Sequence, residues 1–172
     1  EKVKELKRNV NVSMIEFFDK MVSRGLGLQD YYHLIIEYED NSGKLSGKEY
    51  YDLLFLRDKT SIYLSGEGYT TVEDPKILLD RFVELMTWLK EREIPVFGHI
   101  SIGILHPRFK VEQKKYIPEM MKLVKRLNGQ ISGEHGIGIL KREFVDPSDR
   151  KILINVKRRL DPSNKFNVGK VI

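Results

Sequence analysis

Gly98-His99-Ile100-Ser101-Ile102-Gly103-Ile104-Leu105-His106-Pro107 is an apolar, β-branched stretch carrying two of the four histidines of a 172-residue chain. Its composition predicts a central strand over residues 96–105. His99 and His106 lie seven positions apart. A helix would put them on one face, but Gly98, Gly103 and Pro107 argue against a helix. On a straight strand an odd separation sends them to opposite faces. Both rings reach one point only if the backbone bends or bulges between them, and Gly103 takes such a conformation at little cost. A kink near Gly103 is therefore expected.

Ile131-Ser132-Gly133-Glu134-His135-Gly136-Ile137-Gly138 contains a third histidine. Glu134 and His135 are neighbours that a regular strand would separate, yet the surrounding glycines let both project into one cavity from a turn. Dense glycine also leaves room for a flat ligand to approach the main chain. Two imidazoles and a carboxylate suit a divalent metal that keeps an open position, and a further imidazole beside them can act as a base. This division gives His99, His106 and Glu134 to the metal and His135 to proton abstraction. A single histidine in an apolar strand is more often a hydrogen-bonded core or surface residue, and His33, on a separate predicted strand, is read that way. The grouping of the other three in glycine-flanked segments speaks for a site.

Working outward, Val10, Val12 and Met14 alternate with Asn9, Asn11 and Ser13 as a half-buried strand, and Glu16 to Arg24 reads as helical. A second strand covers His33 to Glu39 and stops at the turn Asp40-Asn41-Ser42-Gly43. Ser46 to about Leu64 is a predicted helix. Asp74-Pro75 reads as a cap and first-turn proline for a helix bearing Leu78, Phe82, Leu85 and Leu89. Another apolar stripe, Ile117, Met120, Met121, Val124 and Leu127, ends at Asn128-Gly129, where the glycine is expected to take the left-handed cap conformation. A third, Ile152, Val156 and Leu160, starts at Asp146-Pro147 and is stopped by Asp161-Pro162. The helices are expected to cover one face of the sheet.

The chain is 41% hydrophobic and 32% charged, as expected of one globular domain over residues 1–172. No apolar run approaches the roughly 20 residues that cross a bilayer, and no secretory leader is read at the start. Zero cysteines exclude disulfides, thiolate metal sites and cysteine nucleophiles. The net charge of +5 comes largely from basic residues interleaved with apolar ones at helical spacing, so solvated helix faces are expected rather than a nucleic-acid surface. Gly66-Glu67-Gly68 lacks the context of a dinucleotide fingerprint, and neither a phosphate loop nor a Gly-x-Ser-x-Gly turn is present.

At the two histidine segments the chain resembles the C-terminal, cap or substrate domain of vanillyl-alcohol-oxidase-type flavoenzymes, the branch of D-lactate dehydrogenase, glycolate oxidase and D-2-hydroxyglutarate dehydrogenase. The central stretch is similar to the family's Gly-His-x-Gly-Asp-Gly-Asn-x-His motif, and Ile131 to Gly138 to its Ser-x-Glu-His-Gly-x-Gly motif, with Lys141 following. Ile15-Glu16-Phe17-Phe18-Asp19 looks like its Leu-Glu-x-x-Asp segment, and Leu160 to Lys170 like its closing Leu-Asp-Pro...Asn-Pro-Gly-Lys. The likeness runs from about Val12 to Ile172.

The resemblance implies an α+β fold built on a mainly antiparallel sheet, and a substrate-binding domain of an enzyme oxidising a D-2-hydroxy acid by hydride transfer to FAD. It implies His99, His106 and Glu134 as ligands of a metal such as Zn or Mn, His135 as base, Arg57 and Lys141 as substrate contacts, and Asn167, Glu134 and Gly136 near the flavin. FAD is carried mainly by a separate domain absent from this chain, so the isolated domain is expected to be inactive and to be a piece of a longer enzyme. Expected partners are that FAD-binding domain, the hydroxy acid and, as a homodimer, a second copy; the electron acceptor stays open. Residence in the cytoplasm is the default, with peripheral membrane association if electrons pass to a quinone. Ser101, Ile102 and Ile104 depart from the family's Gly, Asp and Asn, and Val72 stands where the hydroxyglutarate branch has a carboxylate-binding lysine. These departures favour D-lactate or glycolate over a dicarboxylate. Two alternatives remain: a divergent member acting on another alcohol, and a non-catalytic fragment or assembly module that keeps the scaffold.

Overall fold

Strand β1 (Val12–Phe18) pairs with β2 (His33–Tyr38) on one side and β4 (Val96–Gly98) on the other, in a computed structural model that describes residues 1–40 and 42–170. With β5 (His106–Phe109) and β3 (Thr71–Val72) they form an open antiparallel sheet of order β2-β1-β4-β5-β3. The helices are α1 (Lys2–Leu6), α2 (Lys20–Gly25), α3 (Gly47–Gly66), α4 (Phe82–Glu91), α5 (Ile117–Arg126) and α6 (Pro147–Leu160). The expected α+β class with an antiparallel sheet is what the chain adopts. Among the described residues no helix is long and apolar enough to cross a membrane.

Alternation along β1 divides the core. Ile15 and Phe17 join Val96 and Phe109 against Leu85 and Leu89 of α4 and Met120, Met121 and Val124 of α5. Phe18 and Met14 instead meet Ile35, Val22 of α2 and Leu64 of α3 in a smaller cluster. Helices therefore cover the larger core face as expected, and α2 and α3 close the opposite face as well. Each fully buried Leu or Phe in these clusters is worth about 1.5–3 kcal/mol.

Glu16 to Phe18, predicted helical, belong to β1, because the ladder to β2 continues through Phe18. Asp19 makes the change: its Oδ1 accepts the Val22 N–H at 2.7 Å as the cap of α2, and its Oδ2 accepts the Val96 N–H at 3.0 Å. The central strand expected over residues 96–105 is two strands. Val96 pairs with Pro107 and Phe97 with His106, so the kink anticipated at Gly103 is a full reversal of the chain. Gly103 has φ +77°, and its carbonyl accepts the Ile77 N–H at 2.8 Å.

Asp74-Pro75 does not start a helix. Lys76 bridges to Ile104 and Gln130 in extended form, α4 begins only at Phe82 after a short 3-10 turn, and Leu78 is exposed. The reason is that the Asp74 carboxylate is engaged by residues 132–141. After α5 it is Asn128, with φ +56°, that takes the left-handed conformation. Gly129 serves close approach instead, since a Cβ there would sit 2.7 Å from the Lys76 carbonyl oxygen. Helix α6 spans its predicted range, but Ile152, Val156 and Leu160 are exposed.

Candidate functional site

The reversal between β4 and β5 solves the problem posed by the seven-residue spacing: His99 lies in the loop just after β4, His106 is the first residue of β5, and the rings meet edge to face with centroids 5.2 Å apart. The glycine loop brings Glu134 between them. Its Oε1 lies 3.7 Å from His99 Nε2 and its Oε2 3.5 Å from His106 Nε2, and the three ligand atoms fall within 4.8 Å of one another. These separations are long for hydrogen bonds but close to the edge of about 3.4 Å that a tetrahedral ion with roughly 2.1 Å bonds sets between its ligands. A donor set of two imidazoles and one carboxylate fits zinc or manganese. His135 stacks on His106 at 5.2 Å with 15° between the planes.

Each ring is in a different environment. His99 Nδ1 shares a hydrogen bond with Glu16 Oε1 at 2.7 Å, and this bond, outweighing burial, raises the His99 pKa. Burial, reinforced by the neighbouring His99, lowers the pKa of His106 and favours the neutral imidazole that binds metals. His106 Nδ1 is buried without a hydrogen-bond partner among the described residues. The His135 side chain is 43% exposed, with Nδ1 4.0 Å from Asp74.

The glycine loop hangs on Asp74. Its Oδ2 accepts the backbone N–H groups of Glu134 and His135, both at 2.6 Å, and the Ser132 hydroxyl lies 2.8 Å away. The Asp74 carbonyl accepts the Gly133 N–H at 2.8 Å. Burial alone would push this carboxyl up, but the Lys141 ammonium, the two amides and Ser132 hold it down at about 2. Lys141, expected at the substrate, is buried and ion-paired with Asp74 and, at 3.0 Å, with Glu73. Gly136 has φ +76°, and a Cβ built at Gly136 or Gly138 meets nothing within 4 Å, so a planar group could approach the backbone here.

Arg57 comes from α3. It contacts Asp58 through Nη2 at 2.8 Å, and its Nη1 lies 3.4 Å from Met14 Sδ and 3.9 Å from Glu16 Oε1. It therefore adjoins the histidine cluster through Glu16. Asn167, with φ +48°, lies in an exposed turn closed by the Lys170 N–H, and among the described residues no hydrogen bond joins it to the histidines. His33 bonds to Ser23 at 2.9 Å, apart from the cluster. Val72 faces Arg108 across the β3–β5 ladder, and Arg108 is buried on Ser61, Ser65 and the Tyr69 carbonyl. Ile104 packs under Gly133, where a Cβ would fall 2.7 Å from its side chain.

Glu16 and Asp74 were not singled out from the residue pattern. The available signal for Glu16 was a carboxylate between Ile15 and Phe17-Phe18, in a segment read as helical; Asp74 was hidden by its resemblance to a helix cap.

Residues 58–171 match the family of FAD linked oxidases, C-terminal domain. The chain is similar to the mitochondrial D-2-hydroxyglutarate dehydrogenase of Danio rerio, 26% identical over 133 residues that cover 68% of this chain and 25% of that protein. It is similar to a D-lactate dehydrogenase of Archaeoglobus fulgidus, 32% identical over 89 residues, or 46% of this chain and 20% of that one. A D-lactate dehydrogenase of Anaerostipes hadrus is 27% identical over 118 residues, covering 57% and 25% of the two chains. The chain thus spans about a quarter or less of the length of these relatives. Glu16 and Arg57 precede the segment matched to the family.

Proposed function

The chain belongs to the FAD-linked oxidases as their C-terminal domain, and from that premise we propose that it forms the substrate side of an FAD-dependent dehydrogenase or oxidase acting on a D-2-hydroxy acid, D-lactate or glycolate before a dicarboxylate. Relatives named for D-lactate and D-2-hydroxyglutarate support the substrate class. Residues 1–172 act as one cap domain whose partners are an FAD-binding domain and the hydroxy acid, with a second copy in a homodimer and a cytoplasmic or membrane-peripheral location.

His99, His106 and Glu134 would hold zinc or manganese, which when bound supplies a Lewis acid for the hydroxyl and carboxylate oxygens. FAD, when bound, supplies the acceptor for the α-hydrogen as hydride. The chain's own part is to bind, orient and move a proton. Arg57 opposes the substrate carboxylate. His135 takes the hydroxyl proton: it is partly exposed, and its place is set by the His106 ring and by the Asp74 bonds to its loop. Gly136, Glu134 and Asn167 would help hold the flavin, and Lys141 would serve the substrate by neutralising the Asp74 anchor of the loop. Removing a group that opposes the developing negative charge typically costs about 3 kcal/mol.

The observation carrying this reading is the convergence of three donors within 4.8 Å beside a stacked third imidazole, the base candidate. Its test has two parts. Metal content is measured for the chain and for H99A and E134A; unchanged content in either variant defeats the ligand assignment. In the FAD-containing holoprotein, anaerobic D-lactate, glycolate and D-2-hydroxyglutarate are scored for flavin bleaching. Bleaching by none of them defeats the reaction.

A further inference from the structure

Glu16 sits in the middle of β1 among Ile15, Phe17 and Phe18, with its side chain only 3% exposed. A buried carboxylate is costly unless it is paired. One oxygen, Oε1, takes both neighbours: His99 Nδ1 at 2.7 Å and, more loosely, Arg57 Nη1 at 3.9 Å. We infer that Glu16 is a positioning residue that fixes the tautomer and orientation of His99, presenting Nε2 to a cation held with His106 and Glu134. This rests on the proposed cation site and adds to it a residue outside the ligand set.

An ionised carboxylate only accepts hydrogen bonds, so the proton of a neutral His99 must sit on Nδ1. The Nε2 lone pair is then free, and it is this atom that lies toward Glu134. Neither of the other rings is held this way. His106 Nδ1 lacks a partner among the described residues, and His135 Nδ1 is 4.0 Å from its nearest carboxylate. Of the three imidazoles, His99 is the one that the fold orients by a short bond to a carboxylate. Partners of this kind, behind a metal-binding imidazole, typically change metal affinity by roughly 10–100-fold. Arg57 approaches the same oxygen at 3.9 Å, so Glu16 lies between α3 and the histidine loop.

The test begins with the whole metal-free 172-residue chain: 15N-resolved NMR of the histidine side chains must show neutral His99 as the Nδ1–H tautomer, and an Nε2–H tautomer overturns the inference without any variant. Glu16→Gln keeps the size of the side chain but can offer either an oxygen or an amide N–H. It should mix the tautomers and weaken Zn2+ or Mn2+ binding, measured by calorimetry, about tenfold or more, with Glu16→Asp in between. A folded E16Q protein with an unchanged His99 tautomer and metal affinity within twofold overturns the inference. A wild-type chain that binds neither ion, yet shifts its His99 tautomer in E16Q, keeps the positioning role and defeats the cation site instead.

Discussion

The carboxylate of Asp74 accepts the backbone N–H of Glu134 at 2.6 Å across 60 positions of sequence. The bond turns a glycine-rich segment with little intrinsic order into a defined platform, since the same oxygen takes the His135 N–H and the same carboxylate meets Lys141. Glycines cost most in conformational entropy when ordered. A charged acceptor shared among several donors offsets that cost.

Asp74→Ala should destabilise the chain by about 3 kcal/mol, because it leaves two amides and much of the Lys141 charge without their buried partner. Urea unfolding measures this, and a loss under about 1 kcal/mol would refute the anchoring role. Metal affinity should fall in the same variant as Glu134 loses its placement.

Gly103→Ala should cost about 2–4 kcal/mol. A Cβ there falls 2.2 Å from the Ile77 carbonyl oxygen, and φ +77° is unfavourable for alanine. The reversal holding His99 and His106 together depends on this turn, so Zn2+ binding should weaken alongside the denaturation midpoint. Retention of both would show that the turn can re-form elsewhere.

Burial raises the Asp19 carboxyl to about 6, against the lowering effect of the Val22 and Val96 amides. The folded state therefore binds a proton more tightly than the unfolded chain, so this group's contribution is complete below about pH 4 and is lost as pH rises through about 6. Its size is on the order of 3 kcal/mol. Comparing the pH dependence of unfolding for the wild type and D19N isolates it: stability of the wild type should fall relative to the variant between pH 4 and pH 6. Parallel profiles would contradict the raised value.

His135→Ala in the FAD-containing holoprotein should slow substrate-driven flavin reduction by about 10²–10⁴-fold, the usual worth of a positioned base, while metal content stays at the wild-type level. Rapid-mixing absorbance and metal analysis read the two together. Reduction slowed less than tenfold would transfer the proton step to another group.

The candidate site was legible where residue type carried the information. His99, His106, Glu134 and His135 stand out because imidazole and carboxylate side chains are rare in glycine-flanked apolar segments, and these four do converge. Strand and helix positions followed from periodicity wherever a face is buried, as in α4 and α5. Periodicity failed at Glu16 to Phe18, where the same residues fit either period and pairing with β2 decided the outcome. It also failed at Asp74-Pro75, since a cap and a long-range anchor use identical chemistry.

From the residues alone come the chemistry available, the absence of thiols, the amphipathic helices and the need for a bend between His99 and His106, because these depend on side-chain type and local spacing. Folding added what depends on distant partners. The bend became a reversal because β5 could pair back on β4, Glu16 became the partner of His99 because β1 lies beside β4, and Lys141 was drawn inward by Glu73 and Asp74. Such contacts join positions tens of residues apart, and no local rule of propensity or periodicity encodes which buried charge will find which neighbour.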